Sequence, residues 1–153
     1  KSDLPKQNIK LVFLGDGDLK INYELQAKQL GMENNITFKG KVSNPYVYMK
    51  NAKYVVLCSK NEGFPTVLIE SLACETPVIA FDCFSGPSEI IVNNENGILV
   101  ENQNFNKLIT AMNKLISDKD FYLHCKRNAK VSVNAFSLEK IGNQWLQLFK
   151  FNS

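Results

Sequence analysis

The sequence predicts an α/β protein with a parallel β-sheet, helices on both faces of that sheet, and further helices at the C-terminus. Short apolar runs rich in strand-forming residues alternate with segments of helical spacing as far as Val100. Such alternation is typical of βαβ units, in which consecutive strands lie parallel. The chain has 153 residues and is 44% hydrophobic, which suits one domain with a buried core.

The predicted strands are short apolar runs. Two of them, Ile9–Leu14 (IKLVFL) and Tyr54–Cys58 (YVVLC), are apolar at nearly every position, so we expect strands buried on both faces. In chain order, the runs are Ile9–Leu14, Ile36–Phe38, Tyr54–Cys58, Pro77–Phe81 and Ile98–Val100.

Short helices are predicted between these strands. Lys20–Leu30 precedes Gly31, and glycine commonly follows the last residue of a helix. Pro45–Asn51 has room for one or two helical turns. Val67–Cys74 follows Pro65, which suits the first turn of a helix.

The last third of the chain predicts three longer helices. Apolar residues at helical spacing place one from Phe105 to Ile116 and a second over Phe121–Val133. Ser137 is expected to cap the third helix. Its apolar face would hold Leu138, Ile141, Trp145, Leu148 and Phe149.

Composition argues against several classes of function. The net charge is +3 and the basic residues form no dense block, so nucleic acid is not an expected partner. The apolar runs fall far short of the roughly 20 residues that span a bilayer. The chain opens abruptly without an initiator methionine, so we expect it to be a piece of a longer protein.

The cysteines are Cys58, Cys74, Cys83 and Cys125, and no two of them form a C-x-x-C pair. The only histidine is His124, which cannot complete a two-cysteine, two-histidine zinc site. We therefore expect buried, reduced thiols in a cytosolic protein rather than a disulfide or zinc framework.

In parallel sheets of this kind, ligands bind beyond the carboxyl ends of the strands. The first such loop is Gly15-Asp16-Gly17, but a dinucleotide fingerprint needs a third glycine where this chain has Lys20. No acidic residue ends the following strand either, so an NAD site is not expected. A turn beside a ligand is favoured, and a plain turn or a metal site on Asp16 and Asp18 remain alternatives.

The segment from Ser59 to Ala73 (SKNEGFPTVLIESLA) offers more chemistry. Glu62 and Gly63 follow a buried strand, and a helix beginning near Thr66 presents free N–H groups to an anion. Glu70, about one turn inside that helix, can accept two hydrogen bonds from a vicinal diol. The unit suits a sugar nucleotide, although a solvated Glu62 and a Glu70 that only stabilises the helix dipole fit the spacing equally well.

A third loop, FDCFSGPSEII, contains Gly86-Pro87-Ser88, which is typical of a turn into a short helix. Glu89 would lie in the first turn of that helix. Spacing alone favours a structural role for this segment.

These motifs together resemble the C-terminal, nucleotide-sugar-binding domain of the group 1 (family 4) retaining glycosyltransferases. The pattern S-x-x-E-G-F-P-x-x-x-x-E is matched by Ser59, Glu62, Gly63, Phe64, Pro65 and Glu70. LVFLGDG, ITFKGKVSNPY and the glycine of NENGILV also match, in the same order. The segments SNPYVYMKNA and DCFSGPSEI are most similar to bacterial enzymes that build capsule, lipopolysaccharide or lipid-linked glycan chains.

The resemblance implies a Rossmann-like domain, the C-terminal half of a two-domain GT-B enzyme, and a role for each matching residue. Glu70 would hold the ribose hydroxyls. Glu62, the catalytic candidate, would position the donor sugar near its 3-hydroxyl. Backbone amides around Phe64–Val67 would meet the diphosphate and the sugar. The donor-binding residues implied are Gly15, Gly17, Gly40, Lys41, Val42, Ser59, Gly63, Phe64, Pro65, Thr66, Val67 and Glu70.

The family chemistry implied is transfer of a hexosyl group with retention of anomeric configuration, without a metal ion or other cofactor. A UDP-sugar is favoured as donor because UDP is common among such relatives. The partners implied are an N-terminal acceptor-binding domain and a glycan or lipid-linked acceptor. The location implied is the cytoplasm, at the inner face of the membrane.

Two departures from the family pattern give further expectations. Glu75 replaces the glycine that usually follows the motif helix, and we expect it to keep a positive φ. The family's first strand, and the Arg and Lys that clamp the diphosphate, have no match upstream of Ile9. We therefore expect Ile9–Leu14 to pair directly with Tyr54–Cys58, or to receive a strand from another chain. This piece alone should not transfer sugar and should bind nucleotide weakly.

Two other functions fit the same architecture. A nucleotide-sugar 2-epimerase-like isomerase would need a histidine in the cleft, whereas His124 falls in a C-terminal helix. A non-catalytic nucleotide-binding module is the other alternative, against which the presence of both Glu62 and Glu70 argues.

Overall fold

The computed structural model describes residues 9–151, and for Phe151 the backbone alone. The chain divides between Val47 and Tyr48 into two compact units, here named unit 1 and unit 2. Both are α/β structures with parallel strands, in agreement with the predicted fold class.

Unit 1 contains one βαβ unit. Strand β1 (Leu11–Phe13) leads through helix α1 (Lys20–Gln29) to strand β2 (Ile36–Phe38). The two strands are parallel, with Leu11 opposite Ile36. As predicted, Gly31 follows the end of α1 in the left-handed region, with φ of 67°.

The expectation that the first strand is buried on both faces is wrong. Leu11, Val12 and Phe13 are 38%, 41% and 46% exposed. Within the described part of unit 1 there are two strands and one helix, so β1 has a single strand neighbour and no second layer of helices. The expected direct pairing of the first and third strands is not found either: within residues 9–151, the strand that pairs with β1 is β2.

Unit 2 contains a three-stranded parallel sheet in the order β3-β4-β5. Its strands are β3 (Val55–Leu57), β4 (Val78–Asp82) and β5 (Gly97–Glu101). The first helix, α2, spans Tyr46–Asn51 and so contains the point of division. The other helices are α3 (Thr66–Ala73), α4 (Pro87–Ile90), α5 (Phe105–Ser117), α6 (Lys119–Ser132), a 3-10 turn (Val133–Phe136) and α7 (Leu138–Phe151).

Strand β4 is the centre of the core, and its alternate side chains enter two hydrophobic clusters. Ile79 and Phe81 pack in the cluster that includes α5. Val78 and Ala80, which point to the opposite face, pack in the cluster that includes α3. Both faces of this sheet are therefore covered by helices, as the sequence predicts.

The turn after α3 confirms the predicted positive φ at Glu75, which is 62°. The amide of Thr76 donates to the carbonyl of Ser71 at 3.0 Å, and that of Glu75 donates to Leu72 at 2.9 Å. This pair of bonds is a Schellman motif, which is usually closed by glycine. The buried Thr76 hydroxyl also donates to the carbonyl of Met49 at 2.8 Å, so the turn is fixed to α2.

Candidate functional site

The loop between β3 and α3, residues 58–65, is here named the donor loop. It has no regular secondary structure and leaves the carboxyl end of β3, the edge where parallel sheets bind ligands. Glu62 is partly buried within it, while Gly63 and Phe64 are exposed. Pro65 is buried and directly precedes the first residue of α3.

Helix α3 begins at the end of this loop without a side-chain cap. The amide of Leu68 donates to the carbonyl of Pro65 at 3.0 Å. Within residues 9–151, the amides of Thr66 and Val67 have no hydrogen-bond acceptor. They are the free N–H groups of a helix N-terminus, where the dipole favours negative charge.

The two carboxylates of the motif lie on either side of this helix start. Glu62 comes four residues before Thr66, and Glu70 lies four residues after it and is partly buried. Among the described residues, neither side chain forms a hydrogen bond or an ion pair. Their oxygens are therefore available to accept hydrogen bonds from hydroxyl groups of a ligand.

Two side chains from neighbouring loops hold the donor loop. Ser85 lies in the loop after β4. Its hydroxyl donates to the carbonyl of Glu62 at 3.0 Å and lies 3.3 Å from the carbonyl of Gly63. The Asn102 amide, which follows β5, donates to the carbonyl of Lys60 at 3.4 Å. The sequence motifs assign neither residue a role in the site, because these contacts arise from the side-by-side order of the three strands.

Gly86 packs closely against the donor loop. Its φ is 91°, and a Cβ atom at this position would lie 2.5 Å from Pro65 Cδ and 2.6 Å from the carbonyl oxygen of Gly63. The Gly86 amide donates to the Glu89 carboxylate at 3.2 Å, in the first turn of α4. The predicted turn into a short helix is thus confirmed, and it also supports the loop that carries Glu62.

Phe64 and Ser59 complete the donor loop. Phe64 is 47% exposed and meets Phe136 edge to face, with 5.8 Å between ring centroids. Ser59 is partly buried near the end of β3. All the site residues predicted between Ser59 and Glu70 thus fall on one loop–helix segment.

The remaining predicted site residues lie in unit 1. The amide of Gly15 donates to the carbonyl of Gly40 at 2.8 Å, so the loops after β1 and β2 meet. Both glycines have positive φ, of 115° and 69°. Lys41 and Val42 directly follow Gly40, and Gly17 lies two residues beyond Gly15.

Gly15 forms an isolated bridge with Gly40, and a turn follows at Asp18 and Leu19, where the amide of Lys20 donates to the carbonyl of Gly17 at 3.0 Å. The Asp16 carboxylate accepts a hydrogen bond from the amide of Gly17 at 3.1 Å. Within the described range, no three acidic, histidine or cysteine side chains converge as metal ligands would. Beside the turn, α1 and the two strands enclose an apolar groove of about 390 Å³, lined by Leu14, Leu19, Tyr23, Ala27, Ile36 and Phe38.

The four cysteines are free thiols, but only Cys83 and Cys125 are buried as expected. Cys58 is exposed and Cys74 is half-buried, so the expectation of buried thiols is wrong for these two. Cys58 lies one position beyond the last residue of β3, in the loop that leaves the sheet. Burial raises the pKa of the Cys125 thiol to about 11.

His124 lies on α6, as expected from the sequence. Its Nε2 atom is 2.9 Å from a carboxylate oxygen of Glu95 and 3.2 Å from the Asn128 side-chain amide. It is thus engaged with the turn before β5 and with its own helix.

Comparison with known proteins identifies the family. A family model described as "Glycosyl transferases group 1" matches residues 2–132. The chain belongs to this family. The match includes the donor loop, α3 and the glycine turns of unit 1.

Two of the curated relatives are named as bacterial glycosyltransferases. A Campylobacter jejuni protein named "N-acetylgalactosamine-N,N'-diacetylbacillosaminyl-diphospho-undecaprenol 4-alpha-N-acetylgalactosaminyltransferase" is 36% identical over 93% of the chain and 39% of its own length. The Staphylococcus aureus poly(ribitol-phosphate) alpha-N-acetylglucosaminyltransferase is 31% identical, over 92% of the chain and 29% of its length. The chain thus spans less than half the length of these relatives.

Solved structures show the same fold. A crystal structure of a variant of S. aureus TarM, in complex with fondaparinux, alpha-GlcNAc-glycerol and UDP, has a TM-score of 0.87 and 30% identity. The matched region covers 95% of this chain and 30% of the TarM chain. The C-terminal domain of a glycosyl transferase group 1 family protein (LpcC) from Francisella tularensis is 30% identical, with a TM-score of 0.68, over 77% of this chain and 62% of its own.

No helix within residues 9–151 is both long enough and apolar enough to cross a membrane.

Proposed function

We propose that this chain is the donor-binding domain of a retaining glycosyltransferase that moves a hexosyl group from a UDP-sugar to a glycan or lipid-linked acceptor. The observation that carries this proposal is the segment from Glu62 to Glu70. It brings two unpaired carboxylates and the free amides of Thr66 and Val67 onto one loop and one helix start. Membership of the group 1 family supports the same reading.

Each part of a nucleotide-sugar has a chemically matched group in the chain. The diphosphate would accept hydrogen bonds from the Thr66 and Val67 amides at the positive end of α3. Glu70 would accept from the two ribose hydroxyls.

Glu62 would act on the sugar as a positioning group. A carboxylate that accepts a hydrogen bond from a sugar hydroxyl fixes the ring orientation while the acceptor oxygen attacks. In a retaining transfer, that attack takes place on the face from which the nucleotide departs, and the leaving phosphate takes the acceptor proton. Amides at the start of α3 would then stabilise charge that grows on the diphosphate.

We propose that the transfer needs no metal ion, because the helix dipole and amides supply the positive potential at the diphosphate. The expectation is testable with EDTA, which should leave the initial rate unchanged. A loss of activity that manganese restores would contradict it and would bring Asp16 and Asp18 back as candidate ligands.

The biological setting proposed is bacterial glycan, capsule or lipopolysaccharide synthesis in the cytoplasm, at the inner face of the membrane. The C. jejuni relative is named for an undecaprenol-linked substrate, and the S. aureus relative for a polymer acceptor. Acceptor binding is assigned to a second, N-terminal domain, since the relatives are more than twice as long as the matched region.

The deciding experiment is a donor panel on the two-domain protein that carries this chain. UDP release is measured from UDP-glucose, UDP-galactose and their N-acetyl forms, with GDP-mannose for comparison. Turnover of one UDP-sugar to free UDP supports the proposal. Conversion of the donor to an isomeric UDP-sugar without release of UDP would instead establish an epimerase.

Calorimetric titration with UDP tests the ribose contact. Glu70→Ala should weaken UDP binding at least about tenfold, because a charged acceptor of two hydrogen bonds is lost. Glu139→Ala, which removes an exposed carboxylate from the first turn of α7, is the matched control and should leave the affinity unchanged. Equal affinities for the Glu70→Ala variant and the wild-type protein would remove Glu70 from the site.

A further inference from the structure

We propose that Ser85 is a positioning residue that holds Glu62 in place through the backbone of the donor loop. The inference rests on the proposed function, since it assigns Ser85 a part in donor-sugar placement. It concerns a contact between two loops that lie 22 positions apart in the sequence.

The Ser85 hydroxyl has one proton and two acceptors within reach. The carbonyl of Glu62 lies 3.0 Å away and that of Gly63 lies 3.3 Å away. A serine hydroxyl donates a single hydrogen, so the two carbonyls share it. The contact therefore fixes two consecutive peptide groups, one of which belongs to the residue that carries the carboxylate.

Glu62 depends on this backbone contact because its side chain has no other support. Within residues 9–151, its carboxylate makes no hydrogen bond or ion pair, and the donor loop has no regular secondary structure. The position of the carboxylate is thus set by where the peptide of Glu62 is held. Ser85 is the residue whose side chain bonds to that peptide.

The other end of the contact is rigid. Ser85 follows β4, whose residues Val78–Phe81 are fully buried, and precedes Pro87 and Ile90, which are buried in α4. Gly86 adds a close backbone approach to Gly63 and Pro65. The Ser85 hydrogen bond therefore fixes the donor loop relative to the sheet.

The test is turnover by the two-domain protein, with the UDP-sugar that the donor panel selects. Ser85→Ala should lower kcat about tenfold, because loss of the contact lets Glu62 shift by a fraction of an ångström. Binding of UDP should stay within twofold, since the amides of Thr66 and Val67 and the Glu70 carboxylate are untouched. Ser88→Ala, on an exposed serine of the adjacent helix α4, is the matched control and should turn over like the wild-type protein.

A double variant separates positioning from general stability. If Ser85 acts through Glu62, then Ser85→Ala should cost less than twofold in a Glu62→Ala background. Independent, multiplicative losses would overturn the inference, as would a Ser85→Ala variant with wild-type kcat. Where Ser85→Ala fails to fold, Ser85→Cys retains the shape with a weaker donor, and an unchanged kcat for that variant would overturn it too.

Different results would refute the role of Ser85 and the proposed function. A loss of turnover in Glu62→Ala without any loss in Ser85→Ala refutes only the role of Ser85. Wild-type turnover in Glu62→Ala refutes the positioning role of Glu62, and the role of Ser85 falls with it. The absence of UDP release from every donor in the panel refutes the proposed function itself.

Discussion

Replacing Glu75 by glycine is expected to stabilise unit 2, although the change removes a side chain that forms an ion pair. Glu75 has a φ of 62°, in the left-handed region. An L-residue in this conformation costs roughly 1–2 kcal/mol, which glycine does not incur. The two hydrogen bonds of the Schellman motif come from the backbone, so glycine keeps them.

Two smaller terms oppose this gain. The Glu75 carboxylate lies 3.3 Å from Lys130 Nζ, with both side chains more than half exposed, so the pair contributes at most about 0.5 kcal/mol. Glycine also increases the freedom of the unfolded chain, at a cost of about 0.5–1 kcal/mol. The net expectation is a stabilisation of about 0.5 kcal/mol.

Glu75→Ala is the control that isolates the backbone. Alanine loses the ion pair but keeps the left-handed strain, so this variant should be less stable than the wild-type protein by a few tenths of a kcal/mol. The glycine variant should therefore exceed the alanine variant by about 1 kcal/mol. Lys130→Ala reports the ion pair alone.

The measurement is urea unfolding of the chain followed by circular dichroism, with hydrogen exchange of the β4 amides as a readout specific to unit 2. The amides of Val78–Phe81 lie in the buried centre of the sheet, so they report its opening. A glycine variant no more stable than the alanine variant would refute the reasoning. It would mean that the turn relaxes its φ instead of bearing strain.

Three further predictions concern stability and reactivity. Gly97→Ala should destabilise the chain by about 3 kcal/mol or prevent folding, because its Cβ would lie 2.2 Å from the carbonyl oxygen of Val78. Gly142→Ala, whose Cβ would meet no atom within 4 Å outside its own helix backbone, is the control and should not lower the melting temperature. A Gly97→Ala variant that melts at the wild-type temperature would contradict the clash. Burial raises the pKa of Tyr54 to about 12 against an ordinary value of 10.0, so the unfolded chain loses this proton first and stability should fall as the pH rises from 10 towards 12. Tyr54→Phe should flatten that decline, and an unchanged pH profile would argue against it. Cys58 should react with a thiol reagent in the native protein while Cys125 reacts only after unfolding, which mass spectrometry of the labelled peptides can check.

The sequence predicts the elements of unit 2 well, because there the pattern of residues and the packing agree. Val78–Phe81 is apolar at each position and is buried on both faces, between α3 and α5. The positive φ at Glu75 was also predictable, since the residue that follows a helix end of this kind commonly takes the left-handed conformation. The predicted start of the second long helix, at Phe121, lies two residues beyond the observed start of α6 at Lys119. The helix begins earlier because Asp118 caps it, accepting a hydrogen bond from the Phe121 amide at 2.9 Å.

The failures have a common physical cause. Burial of a strand depends on neighbours in space, whereas composition reports only that burial would be favourable. Leu11–Phe13 is as apolar as Val55–Leu57, yet β1 is exposed where β3 is half-buried. Cys58 shows the same effect at a single residue, since the apolar run continues one residue past the end of β3 and that residue is exposed.

The sequence predicts the candidate ligand-binding residues of the site but not the residues that hold them in place. Glu62, the helix start and Glu70 follow one another in the sequence, so a local pattern finds them. Ser85 and Asn102 lie on loops after other strands and contact the donor loop only because β3, β4 and β5 are adjacent and parallel. These two residues could be found from the sequence only by combining the order of the strands in the sheet with the polar residues that lie one to three positions beyond β4 and β5.

The donor loop is held by contacts that leave its ligand-binding atoms unoccupied. Ordering an irregular loop costs roughly 1–2 kcal/mol per residue in backbone entropy, so the donor loop needs anchors. Anchors made by its own carboxylates or by the first amides of α3 would occupy the atoms that a ligand needs. The anchors used are instead a buried proline, an edge-to-face contact of Phe64 and hydrogen bonds to loop carbonyls from Ser85 and Asn102. Since these contacts use only carbonyl oxygens and apolar surface, the loop is held in place while Glu62, Glu70 and the amides of Thr66 and Val67 remain open to a ligand.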